Sequence, residues 1–287
     1  MKLLRYGQKG TERQAVQAPS GDWVDATEFV AQRGGDYNEE FFSAGGVAGL
    51  REWMSSQSDL HPLDLAGVRI GAPIARPSKI IGVGLNYREH AAETGSDLPN
   101  EPKIFMKATT AMSGVFDDVV LPPGSESTDY EVELAVVIGR TATRVAAEQA
   151  LESIAGFTIC IDYSERDWQK NRSGQFVKGK SADTFAPLGP CLVTPDELRA
   201  EDVRLWLAVN GEPRQDSRTS EMIFGVSELV ASISGYMTLL PGDVITTGTP
   251  TGVGLGLDPP QFLRAGDRLE FGIEGIGEGI QSVVASA

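Results

Sequence analysis

The sequence predicts an α+β protein: a mixed β-sheet roll with a few helices, preceded by a small N-terminal domain. Three features predict it. Short apolar, β-branched runs recur along the chain, among them "KIIGVG", "ELAVVIG" and "FTICID", and runs of this length bounded by turn residues read as buried strands. The 33 glycines and 16 prolines supply many tight turns. No regular strand–helix alternation persists, which favours mixed or antiparallel pairing over a doubly wound parallel sheet.

In chain order, residues 1–71 read as a separate small unit. "MKLLRYG" has the character of a strand, "GDWVDATEFVAQRGG" carries scattered apolar residues, and "GVAGLREWMSS" suggests a short helix. Residues 72–78 read as a linker, held extended by Pro73 and Pro77. Residues 79–287 form the main domain. There "KIIGVGLNY" is a strand, "REHAAETG" one or two helical turns closed by Gly95, and "KIFMKA" another strand. "DYEVELAVVIGR" alternates and then turns wholly apolar, as a strand entering a buried sheet does. "VAAEQALESIAG" is the clearest helix, with Gly156 as its stop, and "FTICIDYSERD" is a second buried strand. "LWLAVNGEPRQ" carries an Asn-Gly hairpin signal. "SELVASISGYMTLLPGD" reads as a helix stopped by Pro-Gly, "DVITTGTPTGVGLG" as a strand entering a Gly-rich loop, and "GDRLEFGIEGIGEGIQSVV" as a closing hairpin.

The bulk numbers exclude several classes. A net charge of −15, from 40 acidic and 25 basic residues, argues against nucleic acid and anionic membrane surfaces as partners. The only cysteines, Cys160 and Cys191, form neither a disulfide framework nor a Cys-rich zinc site, which suggests a reducing cytoplasm. "MKLLRYGQKG" lacks the apolar core of a signal peptide, and no apolar run approaches the length of a membrane span.

One motif misleads. "GQFVKGKS", Gly174–Ser181, satisfies the pattern of a phosphate-cradling nucleotide loop. Such a loop needs a strand before it and a long helix after it, whose N-terminus binds the phosphates. Here "DWQKNRS" precedes it without strand character, and Pro187 and Pro190 follow too closely for the helix. Lys180 is then either a surface lysine or a residue with another task.

The carboxylates carry a separate signal. Glu131 and Glu133 are two apart, so a strand would place both on one face. Either that face meets solvent, or the two anions are buried beside something positive. Asp162 closes a neighbouring apolar run. Three carboxylates at strand ends suit a hard divalent cation, Mg²⁺, Mn²⁺ or Ca²⁺. With only His61 and His90 in the chain, a three-histidine zinc site is impossible. His90 precedes Glu93 by three residues, a spacing that shares a helical face. A carboxylate beside the imidazole would fix its tautomer and strengthen it as a base; the alternative is a surface histidine beside a surface glutamate.

Taken together, the chain from about Lys79 onward resembles the fumarylacetoacetate hydrolase family. The resemblance lies in "GVGLNYREHAAETG", "PKIFMKATTAMSG", "DYEVELAVVIGR", "GFTICIDYSERDWQ", "KGKSADTFAPLGP", "VNGEPRQ" and "GDVITTGTPTGVG", in family order. It implies a mixed β-roll, a homodimer, and Mg²⁺ or Mn²⁺ held by Glu131, Glu133 and Asp162. It makes His90 and Glu93 a water-activating dyad and puts Lys180 near a developing enolate. Arg166 and Gln169 would reach the substrate, with Lys107 and Thr249 at other pocket positions. The implied reaction is cleavage of a C–C bond in a 2,4-diketo acid, an acylpyruvate, to pyruvate and a carboxylic acid. "RSGQFVKGKSADTFAPLGP" looks most like the branch acting on sugar-derived 2,4-diketo-3-deoxy acids such as the rhamnonate derivative. The hydratase branch generally lacks the H-x-x-E pair, so its presence favours hydrolysis or decarboxylation. Oxaloacetate decarboxylation, 2-oxo-alkenoate hydration or isomerisation, and a metal-binding scaffold without catalysis remain the competing readings.

Overall fold

A computed structural model describes residues 1–57, 60–93, 95 and 97–286. Its centre is the antiparallel pair Val132–Ile138 and Ile154–Ile161, in which every residue is buried. Their apolar, β-branched composition suits a strand covered on both faces. Ala186–Val193 flanks the pair on one side and Val244–Thr246 on the other. Beyond Val244–Thr246 lie Ile80–Gly84, which pairs parallel, and then Lys103–Lys107 at the edge. A second sheet runs Glu212–Arg218, Arg204–Val209, Arg268–Ile273, Gly277–Ala285 and Val119–Leu121, with the last pair parallel. The architecture is thus the mixed α+β roll the sequence predicts.

The first hairpin of the second sheet turns on Asn210 and Gly211, both at positive φ (54° and 78°), as the Asn-Gly signal requires. The strand at Lys2–Tyr6 and the helix at Gly46–Ser56 also form where the sequence places them. The unit over residues 1–71 shares its sheet with the rest of the chain: Lys2–Tyr6 pairs antiparallel with Ala186–Val193, so the large sheet continues through Arg13–Gln17 to Trp23–Asp25. The stretch 72–78 is packed. Ile74 is fully buried, the Ala75 N–H donates to the Tyr37 carbonyl, and the buried Arg5 donates to the carbonyls of Ala72 and Ile74.

Two expectations are corrected. "VAAEQALESIAG" forms only a short helix, Ala147–Ala150, and a 3₁₀ turn, Leu151–Ser153. Gly156 lies inside the following strand rather than at a helix stop. There it faces the neighbouring backbone so closely that a Cβ would stand 2.5 Å from the Val193 carbonyl oxygen. Close approach in a sheet, which also selects glycine, outweighed the capping signal. The helix Val226–Tyr236 ends before Pro241-Gly242, so those residues form the turn into Val244–Thr246 rather than the stop.

Candidate active site

Antiparallel register builds the site. Val132 pairs with Ile161 and Glu133 with Cys160, so the start of one central strand meets the end of the other. Glu131 and Asp162 lie one residue outside those strands and are tied together by a 2.8 Å bond from the Asp162 N–H to the Glu131 carbonyl. All three carboxylates are buried, and one oxygen from each can be chosen so that the three lie within 4.8 Å of one another. This excludes the reading in which the polar strand face meets solvent.

Buried anions at this separation need positive neighbours, and the chain provides them. The Lys180 ammonium donates to Glu131 Oε2 at 2.6 Å and to Asp162 Oδ2 at 2.7 Å. Arg166 Nη2 donates to Glu131 Oε1 at 2.6 Å, and Lys107 is ion-paired to the other oxygen of Asp162. Burial alone would raise the Glu131 pKa, but Lys180 and Arg166 together hold it well below the usual carboxylate range. Glu133 moves the other way: burial, Asp162 and Glu131 push it well above its ordinary value, against Lys180 and one N–H from Gly248 at 2.8 Å. Lys180 and Arg166 both lose hydration, yet their acidic partners hold each more strongly protonated than usual.

The misleading loop motif resolves here. Phe176–Lys180 is itself a short helix, so Gly179 and Lys180 do not cradle phosphates. Gly179 lets this helix approach the preceding one, Arg166–Lys170: a Cβ would lie 2.6 Å from the Glu165 carbonyl and 2.7 Å from Gln169 Cβ. That contact sets Lys180 over the carboxylates.

His90 and Glu93 share the helix Arg88–Glu93, with Nδ1 2.9 Å from Glu93 Oε2. The Gly252 N–H donates to the other Glu93 oxygen at 2.8 Å. Burial would raise the Glu93 pKa, but His90 and the Gly252 N–H lower it. Of the segment "REHAAETG", Thr94 lies outside the described residues. A cavity of about 170 Å³ is lined by His90, Glu131, Glu133, Arg166, Gln169, Lys180 and Thr249. Gln169 Oε1 accepts from Arg166 Nη1 at 3.1 Å. The Thr249 hydroxyl donates to the Val132 carbonyl at 3.0 Å and accepts from Gln215 at 2.8 Å. Lys107 differs from its expected pocket position: fully buried, it packs behind Asp162 and does not line the cavity.

Sequence reasoning missed Asp129. It is fully buried and accepts from Arg166 Nε at 2.8 Å, from the Gly254 N–H at 2.7 Å and from the Leu255 N–H at 3.0 Å. It therefore ties the arginine on Glu131 to the loop that also anchors Glu93. The signal was present, since Asp129, Glu131 and Glu133 occupy alternate positions.

The donor set fits a hard divalent cation: three clustered carboxylates and no soft ligand. The bridging Lys180 ammonium already shows the cluster holding positive charge.

Buried acids converging beside a histidine–carboxylate pair form an enzyme-like site. The model of the fumarylacetoacetate (FAA) hydrolase C-terminal region matches residues 79–284, and the chain belongs to the fumarylacetoacetate hydrolase family, whose members are hydrolases and isomerases. A Burkholderia ambifaria protein with only a provisional hydrolase name is 46% identical over 284 residues, 98% of each chain. Several solved structures match over the full length of both chains, two of which bear on the site. The 5-carboxymethyl-2-hydroxymuconate delta-isomerase from Mycobacterium smegmatis is 36% identical with a TM-score of 0.77. The maleylpyruvate hydrolase from Sphingobium sp. SYK-6, in complex with manganese(II) and pyruvate, is 28% identical with a TM-score of 0.81.

Proposed function

We propose that this chain is a Mg²⁺- or Mn²⁺-dependent hydrolase that cleaves the C–C bond of 2,4-diketo acids, acylpyruvates and sugar-derived 2,4-diketo-3-deoxy acids among them, to pyruvate and a carboxylic acid. One juxtaposition carries the reading. His90, oriented by Glu93, lines the same cavity as Glu131 and Glu133 of the carboxylate cluster.

Glu131, Glu133 and Asp162 would hold the cation, which when bound supplies Lewis-acid polarisation of the 2-oxo acid oxygens. The chain's own residues carry the rest. Glu93 holds His90 through Nδ1, so the proton of an attacking water passes to Nε2. The water oxygen adds to the C4 carbonyl. The C3–C4 bond then breaks, its electron pair stays on C3, and protonation there gives pyruvate, while the acyl carbon departs as a carboxylic acid. Lys180 and Arg166 face the cavity and stabilise the negative charge that develops on the enolate, where preorganised cations are most effective. Lys107 acts indirectly, by fixing Asp162.

The buried free thiols Cys160 and Cys191 suit a reducing cytoplasm, and no helix among the described residues is long and apolar enough to cross a membrane. A homodimer is part of the same reading; light scattering that finds a monomer at micromolar concentration would refute it.

The isomerase neighbour supports a second reading, proton transfer along an intact carbon chain. Turnover in H₂¹⁸O separates the two. Hydrolysis places ¹⁸O in the released carboxylic acid; an intact, rearranged carbon chain would establish isomerisation instead.

A further inference from the structure

Two elements run outward from the carboxylate cluster, and each carries a cation at both ends. In the strand Lys103–Lys107, alternation puts Lys103, Phe105 and Lys107 on one face. Lys107 is buried against Asp162 at the inner end. Phe105 lies midway, its ring centroid 5.0 Å from the Lys180 ammonium. Lys103, roughly 13 Å from Lys107 at about 3.3 Å per residue, is exposed and lines the cavity. The helix Arg166–Lys170 repeats the pattern. Arg166 is buried on Glu131, and Lys170, one helical turn later on the same side, is exposed and lines the same cavity.

The inner cations are neutralised, Lys180 by Glu131 and Asp162, and Arg166 by Asp129 and Glu131. Among the described residues neither outer lysine makes a direct ion pair with a carboxylate; Lys170 feels Asp129 and Glu131 only from beyond ion-pair distance, with Arg166 opposing them. Lys103 instead holds its ammonium 5.0 Å from the Phe176 ring centroid, and that ring packs against Phe105 at 5.6 Å. The acids lining the cavity, Glu131 and Glu133, are at its buried end. In a chain of net charge −15, the mouth of this cavity has the opposite sign.

We infer that Lys103 and Lys170 are specificity-determining residues that receive a second carboxylate at the distal end of the substrate, so that the cavity takes dianionic 2-oxo acids, with the Phe105–Phe176 wall against the chain between. The reaction assigned to such a substrate rests on the hydrolase reading; the binding preference does not.

The test is calorimetric binding to the full chain with Mn²⁺, comparing two diacids, 2-oxoadipate and 2-oxosuberate, with 2-oxohexanoate and 2-oxooctanoate, mono-acids of equal length. In at least one length pair the diacid should bind about tenfold more tightly, as two exposed ion pairs of up to about 1 kcal/mol each allow. The ratio should shrink with added salt. Lys103→Gln or Lys170→Gln should lower it about threefold each, and the double variant should bring it close to one. Equal or tighter mono-acid binding at both lengths, a ratio unmoved in the double variant, or no binding of any of the four would overturn the inference. A diacid preference in a chain that fails to cleave acylpyruvates would leave the anion site standing and remove the hydrolase reading.

Discussion

Binding of a divalent cation to the carboxylate cluster should release a proton, and affinity should rise with pH, by up to about tenfold per unit below the raised pKa of one member. The cause is Glu133. Burial and the neighbouring Asp162 and Glu131 push its pKa well above the ordinary value. Glu131 is held ionised by Lys180 and Arg166, and Asp162 is paired with Lys107 and Lys180. Glu133 is therefore the carboxyl of the three that holds a proton to the highest pH, and a cation must displace that proton. Because the cation binds the ionised form, affinity climbs with pH and levels off only above the raised pKa. The same shift favours the metal-free fold in acid. That contribution is complete below the ordinary glutamate range and is lost as pH rises through the raised value. Titration calorimetry with Mn²⁺, at one pH in two buffers of different ionisation enthalpy, counts the proton directly. Identical apparent enthalpies, with affinity flat across the range below the raised pKa, would refute the reasoning, because Glu133 would then already be ionised beside Lys180. In Glu133→Gln the proton release should vanish and the affinity should fall.

Three substitutions test the remaining assignments. His90→Ala should lower kcat on the order of 10²–10⁴ while Mn²⁺ affinity holds; turnover near that of the native chain would contradict water activation. Lys180→Met removes the ammonium bridging Glu131 and Asp162. It should destabilise the metal-free protein by about 3–5 kcal/mol, with saturating Mn²⁺ recovering most of the lost Tm; a Tm that metal does not move would refute that compensation. Asp129→Asn weakens the hold on Arg166 and on the Gly254–Leu255 loop. It should raise KM for the 2-oxo acid by about tenfold, the equivalent of one charged hydrogen bond, and an unchanged KM would deny Asp129 its positioning role.

Much of the site was legible because its signals are local. The spacing of Glu131 and Glu133 survives in the structure because both belong to one alternating run. His90 and Glu93 meet because i and i+3 share a helical face. What was not legible depends on register and packing between distant segments. Asp162 could be read as the end of a neighbouring apolar run, but its contact with Glu131 is made by the pairing of Val132 with Ile161, which the sequence does not state. The resemblance puts Lys107 at a pocket position, but it is turned behind Asp162. Asp129 binds a loop 125 residues away in sequence, so its partners carry no local mark. The fold erred where one residue type serves two purposes, as at Gly156, which permits close strand approach rather than ending a helix. The N-terminal unit looked separable because Pro73 and Pro77 mark a linker, yet backbone pairing to Ala186–Val193 carries the sheet across that point.

The most direct measurement is pyruvate release from a panel of acylpyruvates, with oxaloacetate included, in Mg²⁺ and again in EDTA. Cleavage of acylpyruvates that needs Mg²⁺ and is lost in EDTA is the expected result. Pyruvate from oxaloacetate alone, or none from any member of the panel, would contradict the assignment of this site to C–C bond hydrolysis.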